Sequence, residues 1–191
     1  MDNRIFLYII IILSAVIHEY SHAFIADTLG DRTARYAGRL TLNPIAHIDL
    51  WGTVIIPLFL LFTGGIFIGW AKPVPYNPYN IQNKHGSLIV ALAGPLSNFI
   101  IAIVLGLSLR FGIFPANIAQ FIFLIVNVNV YLALFNLIPV PPLDGSKVFG
   151  EIFQSRGSLA TSGVVIIIGL LVAFLILPPI AVFIIKIIIG I

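Results

Sequence analysis

Long apolar stretches separated by short polar ones run through this chain, and their lengths are those of membrane-crossing helices. Residues 5–26 form the first, about 22 residues or ~33 Å of helix, enough to cross a hydrocarbon core of ~30 Å. Residues 88–109 and 119–138 are two more spans, and 163–191 is a further apolar region interrupted at Pro178-Pro179. That last region would reach ~42 Å as one helix, so a kinked span and a hairpin both fit it. The stretch 51–70 is uncharged as well, but Pro57 and Gly64-Gly65 lie between Trp51 and Trp70. These are marks of a re-entrant hairpin bracketed by interfacial aromatic residues. In the polar stretch 27–49, Arg39-Leu40-Thr41-Leu42 alternates weakly and ends at Asn43-Pro44, which predicts a short strand and turn over 38–43. The expected fold is an all-α polytopic helical bundle, one domain over 1–191, with a short β element at the cytoplasmic membrane face and a re-entrant hairpin at 51–70.

Composition narrows the class. Of 191 residues, 60% are hydrophobic and 9% charged, and the mean hydropathy is +1.11. Soluble domains carry about 25% charged residues, so the chain reads as an integral membrane protein embedded in a lipid bilayer. The absence of cysteine excludes disulfides and thiolate metal sites and leaves His and carboxylate ligands. A net charge of +3 raises the question of nucleic acid, but the ten Lys and Arg are dispersed and form no basic run, so no nucleic-acid partner is expected. Arg4 and the apolar stretch after it imitate a signal peptide, yet no small-x-small cleavage site precedes His18.

Charge and parity give a topology. If 51–70 turns back rather than crossing, the spans at 88–109 and 119–138 return the 136–145 segment to the membrane side of His22. The same arrangement puts Arg32, Arg35, Arg39, Lys72, Lys84, Lys147 and Arg156 on one face and leaves mainly Arg4 and Arg110 on the other. By the positive-inside rule the loaded face is cytoplasmic and the N-terminus is outside, in a multi-pass protein of the cell membrane.

The candidate chemistry starts at His18-Glu19-Tyr20-Ser21-His22, in the second half of the first span. Positions i and i+4 of a helix share a face, so His18 and His22 can hold one zinc ion with Glu19 beside it. A five-residue pattern recurs by chance in soluble chains, but polar groups at this depth need a local partner to persist. A catalytic zinc site normally has three protein ligands and an open position. Position 28, where some zincins carry a third His, is Thr28, and the only other Glu is Glu151. Among the aspartates the candidates are Asp27, Asp31, Asp49 and Asp144. Asp27 and Asp31 follow the first span directly and read as solvated charges or helix-end devices. Asp144 follows Pro139, Pro141 and Pro142, which forbid regular helix and let the chain turn a carboxylate inward. Its bland reading is the N-cap of a short helix near 147–153. His47 and His85 lie outside the spans and read as surface histidines.

Taken in order, the His18-Glu19-x-x-His22 helix, the Ala93-Gly94-Pro95-Leu96-Ser97-Asn98 helix start and the Asn136-x-x-Pro139-x-Pro141-Pro142-Leu143-Asp144-Gly145 segment resemble the site-2 protease family of intramembrane zinc metalloproteases. The likeness covers 5 to about 153, and Gly69-Trp70-Ala71-Lys72-Pro73-Val74-Pro75 is similar to the compact bacterial and archaeal branch without an inserted PDZ domain. The resemblance implies one zinc ion per chain held by His18, His22 and Asp144, with Glu19 as the catalytic carboxylate. It implies Asn136 as a donor to the tetrahedral oxyanion, against a plain interhelical hydrogen bond like those open to Asn98, Asn127 and Asn129. It also implies a cytoplasmic-side active site that hydrolyses peptide bonds in or near the transmembrane segments of single-span membrane proteins. A substrate helix must unwind before attack, and 38–43 is a candidate edge for holding it extended. Two rivals stand beside this reading: a metal transporter, which would place polar sites in succession along a route, and an inactive scaffold, which intact His18, Glu19, His22 and Asp144 disfavour.

Overall fold

The computed structural model describes residues 3–63, 71–152 and 163–191. Its long helices are α1 (Asn3–Thr28), α4 (Gly86–Arg110), α5 (Ala116–Asn136) and α7 (Gly163–Ile189), with the short helices α2 (Thr33–Tyr36), α3 (Ile56–Thr63) and α6 (Asp144–Ile152) between them. All four long helices are long and apolar enough to cross a membrane. They extend the expected spans at most ends by a few residues, because polar residues such as Asn3 and Arg110 continue the backbone ladder. The 163–191 region is one continuous helix over 163–189 with Pro178 and Pro179 inside it. Apolar neighbours and local adjustment tolerate proline within such spans.

Helix α4 is the hub, packing against α1, α5, α6 and α7. Small residues make this possible. Ala102 on α4, Val126 and Val130 on α5, and Ala181 and Ile185 on α7 form one buried cluster. A side chain at Gly106 would drive into Ile188. Between apolar helices in lipid there is little hydrophobic drive, so close approach and dispersion supply the attraction. On α1 the buried positions Ile10, Ser14 and His18 recur at four-residue steps and turn polar atoms toward the bundle. Ile5, Ile9, Leu13 and Ile17 form a separate, exposed stripe, as a lipid-facing surface requires.

Among the described residues there is no strand, and the β element expected at 38–43 is corrected to a turn. Its backbone is consumed locally. Arg39 N donates to Ala34 O (2.8 Å), closing α2, and Asn43 N donates to Thr41 Oγ1 (3.1 Å). Thr41 O accepts from His47 Nε2 (2.8 Å), and Gly38 has a φ of 66°. No edge is left for a ladder there. His47, expected at the surface, is 1% exposed because that bond draws it inward.

The 51–70 segment begins as a π-helical turn, Leu50–Ile55, that runs into α3. Residues 64–70, on which the turn expected at Gly64-Gly65 falls, lie outside the described residues. The flanks are nevertheless joined: Lys72 N donates to His47 O (3.0 Å), and Arg39 reaches Ala46 O, Lys72 O (2.8 Å) and Pro73 O (3.4 Å). Tyr8 Oη donates to Thr53 O (2.5 Å), ten positions before His18, or ~15 Å further along α1.

The polar end is held by Asp31, which is fully buried. Its Oδ1 accepts from Thr33 N (3.2 Å), Thr33 Oγ1 (2.5 Å) and Asn80 Nδ2 (2.8 Å), and its Oδ2 accepts from Asn77 N (2.6 Å). Burial pushes this carboxyl up, but the bonds from Thr33, Asn80 and Asn77 outweigh it and hold the group below its ordinary value. A depressed folded value contributes stability above the unfolded carboxylate value of about 3.9, and that contribution is lost as pH falls through the folded value. Asp31→Asn is therefore expected to cost roughly 2 kcal/mol at neutral pH, the scale of a hydrogen bond to a charged group. Thermal unfolding in detergent should show the wild-type advantage constant down to about pH 5 and shrinking below about pH 4. An advantage that grows on acidification would contradict the assignment.

Candidate metal centre

His18 and His22 leave α1 one turn apart and face the start of α4 and the 137–144 connection. Leu143 N donates to Val140 O (3.0 Å) and Val140 N to Ile138 O (2.8 Å), so the proline-rich segment turns tightly. It delivers Asp144 as the first residue of α6. Gly145 permits the approach, since a side chain there would strike the carbonyls of Leu137 and Ile138. Asp144 thus both starts a helix and enters the site.

Three ligand atoms converge. His18 Nε2 and His22 Nε2 are each 3.0 Å from Asp144 Oδ2 and 3.1 Å from one another. His18 and Asp144 are buried, at 4% and 7% exposure. The far side of each ring is occupied: His22 Nδ1 lies 2.7 Å from Val90 O, and His18 Nδ1 lies 2.6 Å from Asn98 Oδ1. A carbonyl only accepts, so His22 Nδ1 carries the hydrogen and Nε2 keeps its lone pair. Lys147 Nζ donates to the other oxygen, Asp144 Oδ1 (3.2 Å). Lone pairs from two imidazoles and a carboxylate repel unless a cation lies between them, and this nitrogen and oxygen donor set suits zinc. Gly94 lies against the same point, where a Cβ would come within 2.6 Å of His18 Cε1.

A cavity of about 370 Å³ opens beside these atoms, lined by His18, Glu19, His22, Asn136, Asp144 and Lys147 together with Ala71, Pro73, Val74 and Tyr76. Glu19 Oε2 accepts from Val74 N (2.8 Å). The 71–76 segment therefore bears directly on the carboxylate. Asn136 donates one amide hydrogen to Leu132 O (2.9 Å) on its own helix. Four of the sequence-derived site residues plus Asn136 thus share one cavity wall.

The other sequence candidates lie elsewhere. Asp27 pairs with Arg35 (2.9 and 2.5 Å), and Asp49 accepts from Trp51 N and Gly52 N. Glu151 and His85 are exposed. Asn127 bonds to Phe123 O in its own helix (2.8 Å), whereas Asn98 and Asn129 join different helices. Gly94 and Val90 have roles that only the packing of α1 on α4 reveals. The Gly94-Pro95 pair inside an apolar span is the one sequence mark of that close approach.

The sequence model of the family described as "Peptidase family M50" matches residues 6–114 and 113–178. The provisionally named zinc metalloprotease YwhC of Bacillus subtilis is 38% identical over 157 residues, covering 77% of this chain and 68% of that protein. The similarly named Rip2 of Mycolicibacterium smegmatis is 34% identical over 140 residues, 70% of this chain and 52% of its own length. A zinc metalloprotease of Methanocaldococcus jannaschii is 28% identical over 181 residues, 93% of this chain and 44% of its own. The chain therefore spans about half the length of the last two relatives. No solved structure matches the chain significantly.

Proposed function

This chain belongs to peptidase family M50, the site-2 protease family, and we propose that it is an intramembrane zinc endopeptidase that hydrolyses peptide bonds in or near the transmembrane segments of single-span membrane proteins. The observation that carries this is the meeting of His18 Nε2, His22 Nε2 and Asp144 Oδ2 within 3.0–3.1 Å of one another, on the wall of a cavity that Glu19 also lines. His18, His22 and Asp144 would hold the zinc. When bound, zinc supplies Lewis acidity: it makes water nucleophilic near neutral pH and polarises the scissile carbonyl.

The residues of the chain supply the rest. Glu19 takes the proton of the attacking water through one carboxylate oxygen while Val74 N–H fixes the other, and it then gives that proton to the leaving amine. Asn136 has a second amide hydrogen beyond the one given to Leu132 O, and we assign it to the developing oxyanion. Lys147 keeps Asp144 Oδ1 occupied, which leaves Oδ2 with His18 Nε2 and His22 Nε2.

The same geometry lends support to one orientation. The bonded flanks at His47 and Lys72 and the Tyr8 contact at Thr53 support a segment that dips beside α1 and returns to its own side. The site end then carries Arg32, Arg35, Arg39, Lys72, Lys84 and Lys147, which favours the cytoplasmic face with the N-terminus outside. Convergence of the ionisable groups on one point, rather than in succession across the bundle, speaks against a transporter.

The test is cleavage of a single-span substrate after reconstitution into liposomes. Chelation should abolish cleavage, one equivalent of zinc should restore it, and the mapped cut should fall in or next to the substrate's apolar segment. Chelator-resistant cleavage, or cuts confined to distant soluble loops, would overturn the proposal.

A further inference from the structure

A neutral imidazole carries its hydrogen on one ring nitrogen only, and a metal ligand must keep the lone pair on the nitrogen that faces the ion. For His22 the Val90 carbonyl decides this directly. His18 instead faces a side-chain amide, Asn98, whose oxygen and NH2 ends have the same shape and can be presented either way round. The choice is made by the acceptors that surround the Asn98 NH2. Ile125 O is a backbone carbonyl that can only accept, and it lies 2.9 Å from Asn129 Nδ2, so Asn129 presents its NH2 there. The same NH2 reaches Ser14 Oγ (3.0 Å). Asn129 Oδ1 is thereby turned to Asn98, whose Nδ2 donates to it (2.8 Å) and to Ser14 O (3.3 Å). Asn98 is left with its oxygen toward His18 Nδ1, 2.6 Å away, and that nitrogen must donate.

We propose that Asn129 is a positioning residue for the metal centre: through Asn98 it fixes the His18 tautomer that leaves the Nε2 lone pair facing the ion. The inference rests on the zinc reading above. Burial gives the relay its force. Asn98 and Asn129 are fully buried and Ser14 is 4% exposed, and in hydrocarbon no water stands in for a lost partner. An inverted Asn98 would present its NH2 to Nδ1, draw the lone pair there, and put the ring hydrogen on Nε2 where the ligand atom belongs. Two backbone carbonyls, Ile125 O on α5 acting through Asn129 and Ser14 O on α1 meeting Asn98 directly, therefore set the polarity of a chain that ends at a ligand on α1.

The experiment is a double-mutant cycle read by zinc affinity, using chelator competition on purified protein whose helicity and monodispersity are verified for each variant. Asn129→Leu removes the nearer of the two acceptors that orient Asn98, leaving only Ser14 O at 3.3 Å, and should weaken zinc binding about 10-fold, the scale of an outer-shell partner. Asn98→Asp presents an accepting oxygen to His18 whichever way it turns. In that background Asn129→Leu should change zinc affinity by no more than about twofold, the usual additivity error, or improve it. Should the buried carboxylate of Asn98→Asp prevent folding, Asn129→Asp serves instead: it retains an oxygen toward Asn98 and should bind zinc within about threefold of wild type. The d–d spectrum of the cobalt-substituted protein should be altered by Asn129→Leu and preserved by Asn129→Asp. A role in packing alone predicts equal losses from Asn129→Leu in the wild-type and Asn98→Asp backgrounds, and that outcome, or wild-type affinity in Asn129→Leu, overturns the proposal. A wild type that binds no zinc would remove the zinc reading and this inference with it, whereas tight wild-type binding without coupling removes only the inference.

Discussion

Glu19→Gln is expected to bind one zinc as the wild type does and to cleave substrate at least about 10³-fold more slowly, the scale of lost acid–base catalysis. The substitution is nearly isosteric. The glutamine oxygen can still accept from Val74 N–H, as Glu19 Oε2 does at 2.8 Å, so the 71–76 segment keeps its seat over the cavity. Zinc binding survives because Glu19 is not among the converging atoms, which belong to His18, His22 and Asp144. What disappears is proton transfer, and it disappears twice: an amide can neither take the proton of the attacking water nor deliver one to the leaving nitrogen. Metal content by mass spectrometry and cleavage rate on the same preparation separate the two effects. Cleavage at the wild-type rate would remove Glu19 from the mechanism, and a joint loss of zinc would recast it as a structural partner of the site.

Much of this site was legible because hydrocarbon is an unforgiving solvent. Two histidines and a glutamate within five residues of an apolar span need partners, and Asp144 behind three prolines is the carboxylate free to turn toward them. The four spans were legible for the same reason, since uncharged runs of that length have few other uses. Elsewhere the sequence pattern was weak and local chemistry decided. Arg39-Leu40-Thr41-Leu42 alternates like a strand, but the Thr41 hydroxyl, the Thr41 carbonyl and Ala34 O capture or satisfy its backbone partners within a few residues. Pro178-Pro179 looked like a break, yet α7 runs through it. Asp31 read as a solvated or helix-end charge, and its partners Asn77 and Asn80 lie 46 and 49 positions away, with no periodic mark to join them. Nor does composition tell an asparagine that glues helices from one that aims a ligand. That difference lies in what each amide end of Asn129 meets, the Ile125 carbonyl at its NH2 and the NH2 of Asn98 at its oxygen.

Gly94→Ala is expected to abolish stoichiometric zinc binding, and cleavage with it, while leaving the fold intact. An ideal Cβ built at Gly94 falls 2.5 Å from His18 Nε2 and 2.6 Å from His18 Cε1, with His22 Nε2 as near. These are van der Waals overlaps that real side chains do not tolerate, so something must move. The rings have little freedom to do so, because His22 Nδ1 is held by Val90 O and His18 Nδ1 by Asn98 Oδ1. The backbone of α4 has no more: Ala93, Gly94, Pro95 and Asn98 are all buried. Either the methyl occupies the point where the lone pairs converge or the imidazoles rotate away from it, and both outcomes remove the ion's place. Helix propensity acts in the opposite direction, since alanine is better than glycine in a helix interior by about 0.5–1 kcal/mol. Loss of metal without loss of thermal stability is therefore the signature of this position. Gly150 on α6 provides the control: a Cβ there meets nothing within 4 Å, so Gly150→Ala should bind zinc like the wild type. If Gly94→Ala retains one tightly bound zinc, the ion is held elsewhere than between His18, His22 and Asp144.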